Sequence, residues 1–169
     1  MKTSPVMALS ALSLVLCLAL ACGGCGEVRE DFFAPFRTPF TAQIEGTAHG
    51  VAFCATLQAE AVGENGARAL TLIFYAPDSL ADTVLARDGD GLLHLSVGSV
   101  TLEGVAAQAL APLLDLFPTA GEVQSVTLTD QGCTRVQGDG FLLDFLPDGT
   151  PYRVQSTVAE VTVVSFQTP

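Results

Sequence analysis

Hydrophobic residues alternate with polar or small residues along most of the chain beyond residue 41. The clearest runs place apolar side chains at every second position, at Val51, Phe53, Ala55, Leu57 and Ala59 and again at Leu70, Leu72 and Phe74. This period of two is typical of β-strands with one buried face. In the second run Ile73 and Tyr75 are apolar on the other face as well, which predicts that this strand is covered on both sides. Turn signals such as Asn65 with Gly66, and Asp148 with Gly149, separate the runs. The pattern predicts about nine or ten antiparallel strands joined by short turns.

One segment, residues 104–117, follows a helical period instead. Its stripe consists of Leu110, Leu113, Leu114 and Phe117, at i, i+3, i+4 and i+7 spacing, and Asp115 is its only charged residue. Pro112 lacks a backbone N–H, which predicts a kink or two short helices. Because so apolar a helix must be covered, we expect it to lie against the sheet as a plug or lid.

Together these elements predict a mainly β domain over residues 41–169, built as a strongly curved antiparallel sheet, or half-barrel, with one apolar helix. Our leading hypothesis is that an apolar or lipid ligand binds between sheet and helix. The expected lining residues are Phe53, Leu70, Leu72 and Phe74 on strands, and Leu110, Leu113, Leu114 and Phe117 on the helix. The alternative is that these residues form a plain hydrophobic core, in a structural or protein-interaction module.

The first 25 residues resemble the signal peptide of a bacterial lipoprotein. Lys2 supplies the positive charge, an apolar stretch follows, and Ala19-Leu20-Ala21-Cys22 is similar to a lipobox. The apolar stretch is shorter than the ~20 residues that span a bilayer. The resemblance implies removal of residues 1–21, acylation of Cys22 and attachment to a membrane on its extracytoplasmic side, the outer membrane if the cell has one. Ordinary secretion without a lipid is the alternative.

Residues 22–40 are predicted to form the lipidated cysteine and a flexible tether, because Gly23, Gly24 and Gly26 open this segment. Three aromatic residues follow at four-residue intervals: Phe32, Phe36 and Phe40. The prolines between them argue against a continuous helix. Two interpretations remain for this arm. Its rings either rest on the bilayer or on a partner, or they pack onto the domain.

The net charge of the protein limits the classes of molecule that it can bind. Aspartate and glutamate outnumber lysine and arginine by 18 to 7, and the formal net charge is −11. Such a surface repels phosphate backbones, which argues against nucleic-acid binding. Contact with anionic lipid must therefore come from the acyl chains on Cys22 and not from basic residues. The sequence specifies no protein partner.

The sequence contains no arrangement typical of an enzyme, a cofactor site or a metal site. His49 and His94 are the only histidines, and although Asp115 or Asp144 could complete a triad with His94, no GxSxG motif accompanies them. The Asp-Gly-Asp-Gly run at residues 88–91 lacks the remaining ligands of a calcium loop and predicts a tight turn. We therefore expect a non-enzymatic protein without cofactor or metal.

The five cysteines have different expected roles. Cys17 lies in the leader, and Cys22 with Cys25 has CxxC spacing, but no second pair or nearby histidine completes a zinc site. Cys54 and Cys133 both lie in strand-like stretches. They form either a disulfide, which an exported chain allows, or two separate thiols.

The strand pattern resembles the LolA/LolB-like superfamily of bacterial lipoprotein carriers and receptors, which includes lipid-carrying lipoproteins of mycobacteria. The residues that carry the resemblance are an opening long hairpin, Phe74-Tyr75-Ala76-Pro77 leading to Leu80, the run 91–98, and the block 148–152 that closes on 161–166. The resemblance implies a curved sheet plugged by helices, with acyl chains bound between. This chain differs in offering one helix and no arginine recognisable as ligand-binding.

Overall fold

The computed structural model describes residues 30–63, 67–103 and 105–169. The predicted signal peptide, Cys22 and Cys25 therefore lie outside the described residues, as do Asn65, Gly66 and Gly104. Phe32–Pro169 form one unit by their contacts. The helices in the described part have three or four residues each, too few to cross a membrane.

Antiparallel strands form one curved, unclosed sheet, which confirms the predicted mainly β fold class. Within the described residues the sheet has eleven strands, slightly more than predicted. They are β1 (Phe40–Ala48), β2 (Val51–Val62), β3 (Arg68–Ala76), β4 (Thr83–Arg87), β5 (Leu93–Val97), β6 (Val100–Glu103), β7 (Val123–Leu128), β8 (Thr134–Gly138), β9 (Phe141–Phe145), β10 (Pro151–Ser156) and β11 (Ala159–Gln167).

Two meanders meet in the middle of this sheet. The strand order is β6-β5-β4-β3-β2-β1-β11-β10-β9-β8-β7, so the first and last strands are neighbours. Their pairing contains a β-bulge between Gln43 and Ile44, which bends the sheet at the junction. Gly46 lies opposite Val161, and a Cβ there would collide with the carbonyl oxygen of Glu160 and lie 2.8 Å from the Cα of Val161. Only glycine therefore fits at this point of the junction.

The inner face of the sheet is the apolar one. Alternate residues of each long strand are buried there, and Leu57 of β2 is fully buried directly opposite Leu72 of β3. A fully buried leucine contributes about 1.5–3 kcal/mol relative to an exposed one. The outer face is more polar, and Tyr75 is 48% exposed on it. Strand β3 is therefore covered on one face, whereas its apolar run had predicted cover on both.

Two segments cover the inner face, and we call them together the plug. One is the arm of residues 32–39, with the short helix α1 (Ala34–Arg37). The other is the crossover of residues 105–122, which joins β6 to β7 and contains the helix α2 (Val105–Gln108) and a 3-10 turn (Ala111–Leu113). The predicted helix over 104–117 is thus interrupted and regular only in short pieces. Pro112 lies within the 3-10 turn, where its missing N–H was expected to break the helix.

The aromatic arm packs into the domain. Phe36 has no exposed surface, and its ring centroid lies 5.2 Å from that of Phe117 and 6.1 Å from that of Phe145. Phe40 continues the cluster, with its ring stacked 5.0 Å from that of Phe166. The space between the sheet and the plug is filled by these rings at its centre. Of the two interpretations of the arm, packing is the one observed.

Candidate functional site: a cleft between the sheet and the plug

A cleft of about 560 Å³ opens at one end of the sheet, where β1 and β3 begin and β2 and β4 end. Its apolar floor comes from Phe40, Leu70, Leu114 and Phe117. The crossover also contributes Asp115, Pro118, Thr119 and Ala120 to its lining. Pockets for small molecules have volumes of about 300–1,000 Å³. The volume of the cleft is therefore within the range of small-molecule sites.

The predicted ligand-lining residues all belong to the interior. Seven are buried and Leu110 is partly buried, the seven being Phe53, Leu70, Leu72, Phe74, Leu113, Leu114 and Phe117. Leu70, Leu114 and Phe117 line the cleft. The others lie deeper, where side chains pack against one another. A ligand contact by any of them stays a prediction.

Arg68 fixes the arm against the sheet at the rim of the cleft. Its Nε donates to the carbonyl of Glu60 at 2.8 Å, Nη2 donates to the carbonyl of Thr38 at 2.8 Å, and Nη1 donates to the carbonyl of Phe36. The guanidinium also stands 4.9 Å from the centroid of the Phe40 ring. Burial lowers the pKa of Arg68. Through its three carbonyl acceptors, Arg68 connects β2, β3 and α1.

Arg87 is the second cation of the cleft, and it faces the crossover. Its two terminal nitrogens donate to the carboxylate of Asp115, at 3.1 and 2.6 Å. The side chain of Arg87 is 26% exposed and that of Asp115 is 57% exposed. Ion pairs this open to water contribute about 0–1 kcal/mol. The pair is therefore well formed in geometry but weakly held.

Sequence reasoning missed both arginines, although the strand period contains a signal for them. Arg68 lies two residues before Leu70, the first buried residue of β3. Arg87 lies two residues after Leu85, the last buried residue of β4. A period of two keeps each on the inner face. Leu70 and Arg87 are direct partners in the sheet. A charged residue that continues the inward-facing positions at the end of a strand thus marks the rim of the covered face.

The outer face carries a separate set of ion pairs. Arg135 donates to both carboxylate oxygens of Asp144, at 2.7 and 2.8 Å, and Asp144 is only 4% exposed. The hydrogen bond with Asp144 raises the pKa of Arg135. Arg153, the partner of Asp144 on β10, pairs with Glu160. One pair joins β8 to β9 and the other joins β10 to β11, and none of these residues lines the cleft.

The side chain of His94, on β5, lies beside the turn that follows β4. Its Nε2 lies 3.5 Å from a carboxylate oxygen of Asp88, whose other oxygen accepts the backbone N–H groups of Asp90 and Leu92, each at 2.9 Å. The Leu92 N–H is the main cause that lowers the pKa of Asp88. The carboxylates considered for a triad, Asp115 and Asp144, are bound to arginines instead. Within the described residues, no group of three His, Cys, Asp or Glu could hold a metal ion.

Cys54 and Cys133 are free thiols in the structure. Cys54 lies on β2, and Cys133 immediately precedes β8. Four strands separate β2 from β8 in the sheet. At ~4.8 Å per strand this is about 24 Å along the sheet, against the ~7 Å limit between the Cα atoms of a disulfide. Of the two alternatives for these cysteines, separate thiols are the one observed.

Comparisons with known proteins give a likeness of fold. No protein-family model and no curated protein matches the chain. An uncharacterized conserved protein from Thermus thermophilus aligns at a TM-score of 0.51 and 16% identity, over 85% of this chain and 86% of that one. MucB aligns at 0.51 and 14% identity, over 86% of this chain and 60% of MucB. A LolA superfamily protein from Nitrosomonas europaea aligns at 0.40 and 9% identity, over 79% of this chain and 87% of that one, too loosely to carry an argument. The chain is therefore similar in fold to the Thermus protein and to part of MucB.

Proposed function

We propose that the protein is a non-enzymatic binding protein that acts outside the cytoplasm, is held to a membrane by acyl chains on Cys22, and takes an apolar or lipid ligand into the cleft. The observation that carries the proposal is an apolar floor of four residues in a cleft of about 560 Å³ that is open to water. Each methylene that a ligand buries there contributes about 0.8 kcal/mol. The cleft borders the buried core, so an acyl chain would extend an apolar surface that already exists.

A titration with a fluorescent fatty acid tests ligand binding. Ala120 is exposed and lines the cleft, so Ala120→Trp places an indole in the ligand space without disturbing the core. We expect this variant to bind the probe at least about tenfold more weakly than the unchanged protein, since it removes several methylene contacts.

The matched control is Ala52→Trp, which adds the same ring at an exposed position of β2 that does not line the cleft. Its affinity for the probe should equal that of the unchanged protein. Equal weakening by both substitutions would show that the probe binds elsewhere. Failure of the unchanged protein to bind the probe, together with native mass spectra free of lipid, would contradict the proposal.

The membrane anchor has its own test. Cys22→Ser removes the thiol that would carry the acyl chain, and we expect the variant to move from the membrane fraction to the soluble extracytoplasmic fraction. Immunoblotting of cell fractions measures the change, with Cys54→Ser as the control that should stay in the membrane fraction. A Cys22→Ser protein that remains bound to membranes would refute anchoring through this residue.

A protein-interaction role is the second candidate, and strand β7 is the observation that favours it. β7 is at an edge of the sheet, and all six of its residues are exposed, including Leu128 at 75%. It contains no charge, while Glu122 and Asp130 flank its ends. An uncovered edge of this kind can pair with an extended segment of another protein, here one with basic residues at its ends. The fatty-acid titration separates the candidates, because this role requires no uptake of the probe.

A further inference from the structure

Resting on the proposed function, we infer that the cleft selects anionic single-chain amphiphiles, and that the ligand's carboxylate binds Arg87 in the place that Asp115 holds in the structure. Three features of the cleft support this assignment: its charge, the exposure of the Arg87–Asp115 pair, and the position of Arg87 beside Leu70 of the apolar floor.

The charge of the cleft is opposite to that of the protein. Acidic residues outnumber basic ones by 18 to 7 in the chain, yet the cleft is lined by two arginines and one acid, Asp115. Two other grooves in the described part have the reverse balance. One of them is lined by Glu60 without a basic residue, and the other by two arginines and three acids. The lining charge thus favours an anionic headgroup in this cleft over those two grooves, and this cleft also has an apolar floor.

Only one of the two cations in the cleft is held loosely enough to exchange its partner. Arg68 donates to three backbone carbonyls, so the arm would have to move before it could bind a ligand. Arg87 instead holds a single side-chain carboxylate that is 57% exposed. A ligand carboxylate offers the same two acceptor oxygens in the same forked geometry. Exchange would therefore keep both hydrogen bonds of Arg87 and release Asp115 to water.

The position of Arg87 sets where the acyl chain would run. Arg87 is the direct sheet partner of Leu70, and Asp115 follows Leu114 on the opposite wall. A headgroup on Arg87 would place the first methylenes between these two leucines. The chain would then continue toward Phe40 and Phe117 on the cleft floor. The arginine at the rim would thus bind the carboxylate of a single-chain amphiphile, and the apolar floor would bind its acyl chain.

The test compares two probes of equal chain length, dodecanoate and dodecanol, by isothermal titration calorimetry on the purified protein at pH 8. We expect the unchanged protein to bind dodecanoate severalfold more tightly, since the carboxylate can accept both hydrogen bonds of Arg87 and an alcohol cannot. Arg87→Gln should abolish this preference and leave the affinity for dodecanol unchanged. Asp115→Asn should strengthen dodecanoate binding severalfold, because it removes the competing carboxylate.

Arg153→Gln is the matched control, because it removes the same charge on the outer face, where Arg153 pairs with Glu160. It should keep the preference for dodecanoate, which would exclude a general effect of net charge. Asp115→Asn changes an exposed side chain, so it still tests the inference if Arg87→Gln does not fold. Equal binding of the two probes by the unchanged protein would overturn the inference and leave the proposed function standing. Binding of neither would overturn both.

Discussion

Replacing Phe36 by alanine is expected to lower the free energy of unfolding by about 3–5 kcal/mol, the range for removal of a buried phenylalanine. Phe36 has no exposed surface and is the centre of the aromatic cluster, with rings of Phe40, Phe117, Phe145 and Phe166 within 6.2 Å of its own. These rings come from β1, the crossover, β9 and β11. The alanine variant would leave a cavity that rigid strands on several sides cannot close.

Urea denaturation measures the effect, and Phe32→Ala is the matched control on the same arm. Phe32 is partly buried and makes one close ring contact, with Phe145 at 5.9 Å. Its removal should cost less than half as much. If the two variants have the same unfolding midpoint, the arm does not complete the core, and the interpretation of Phe36 as its centre fails.

Gly46→Ala is expected to cost about 3 kcal/mol, at the upper end of the range for overpacking. The added Cβ would meet the carbonyl oxygen of Glu160 and the Cα of Val161, both of which are backbone atoms of β11. A side chain can rotate away from a collision, whereas a paired strand must shift its register or separate. The substitution thus acts on the junction of the two meanders.

Gly89→Ala is the control for this prediction, because an added Cβ meets nothing within 4 Å there and the backbone has no positive φ. Thermal unfolding followed by circular dichroism should show a lower midpoint for Gly46→Ala and an almost unchanged one for Gly89→Ala. Amide exchange should locate the loss in β1 and β11. Equal midpoints for the two variants would mean that the junction tolerates a wider spacing than the structure indicates.

Local pattern was sufficient for much of the fold. The alternation at Phe53, Ala55 and Leu57 predicted a strand and its buried face, because period two is a property of the strand itself. Cover on the second face of β3 was predicted wrongly, since Ile73 and Tyr75 are apolar in sequence but face outward in a sheet with one covered side. Whether the outer face of β3 is buried depends on what the rest of the chain packs against it, and the hydrophobic period of the strand does not contain that information.

The candidate site was predictable in its apolar part only. Leu70, Leu114 and Phe117 followed from strand and helix periods and lie in the cleft. Arg87 was missed because its role depends on Asp115, which is 28 positions away and reaches it only through the path of the crossover. No local pattern encodes that path, so the charged rim became visible only with the three-dimensional arrangement.

The pairing of β1 with β11 has a consequence for how the domain is made. Residues 40–48 cannot complete their hydrogen bonds until residues 159–167 are available, so synthesis from the N-terminus leaves one edge of β1 open until β11 has emerged. Joining such distant segments slows folding relative to local contacts. The two meanders can therefore be joined into one sheet only after β11 has been synthesised.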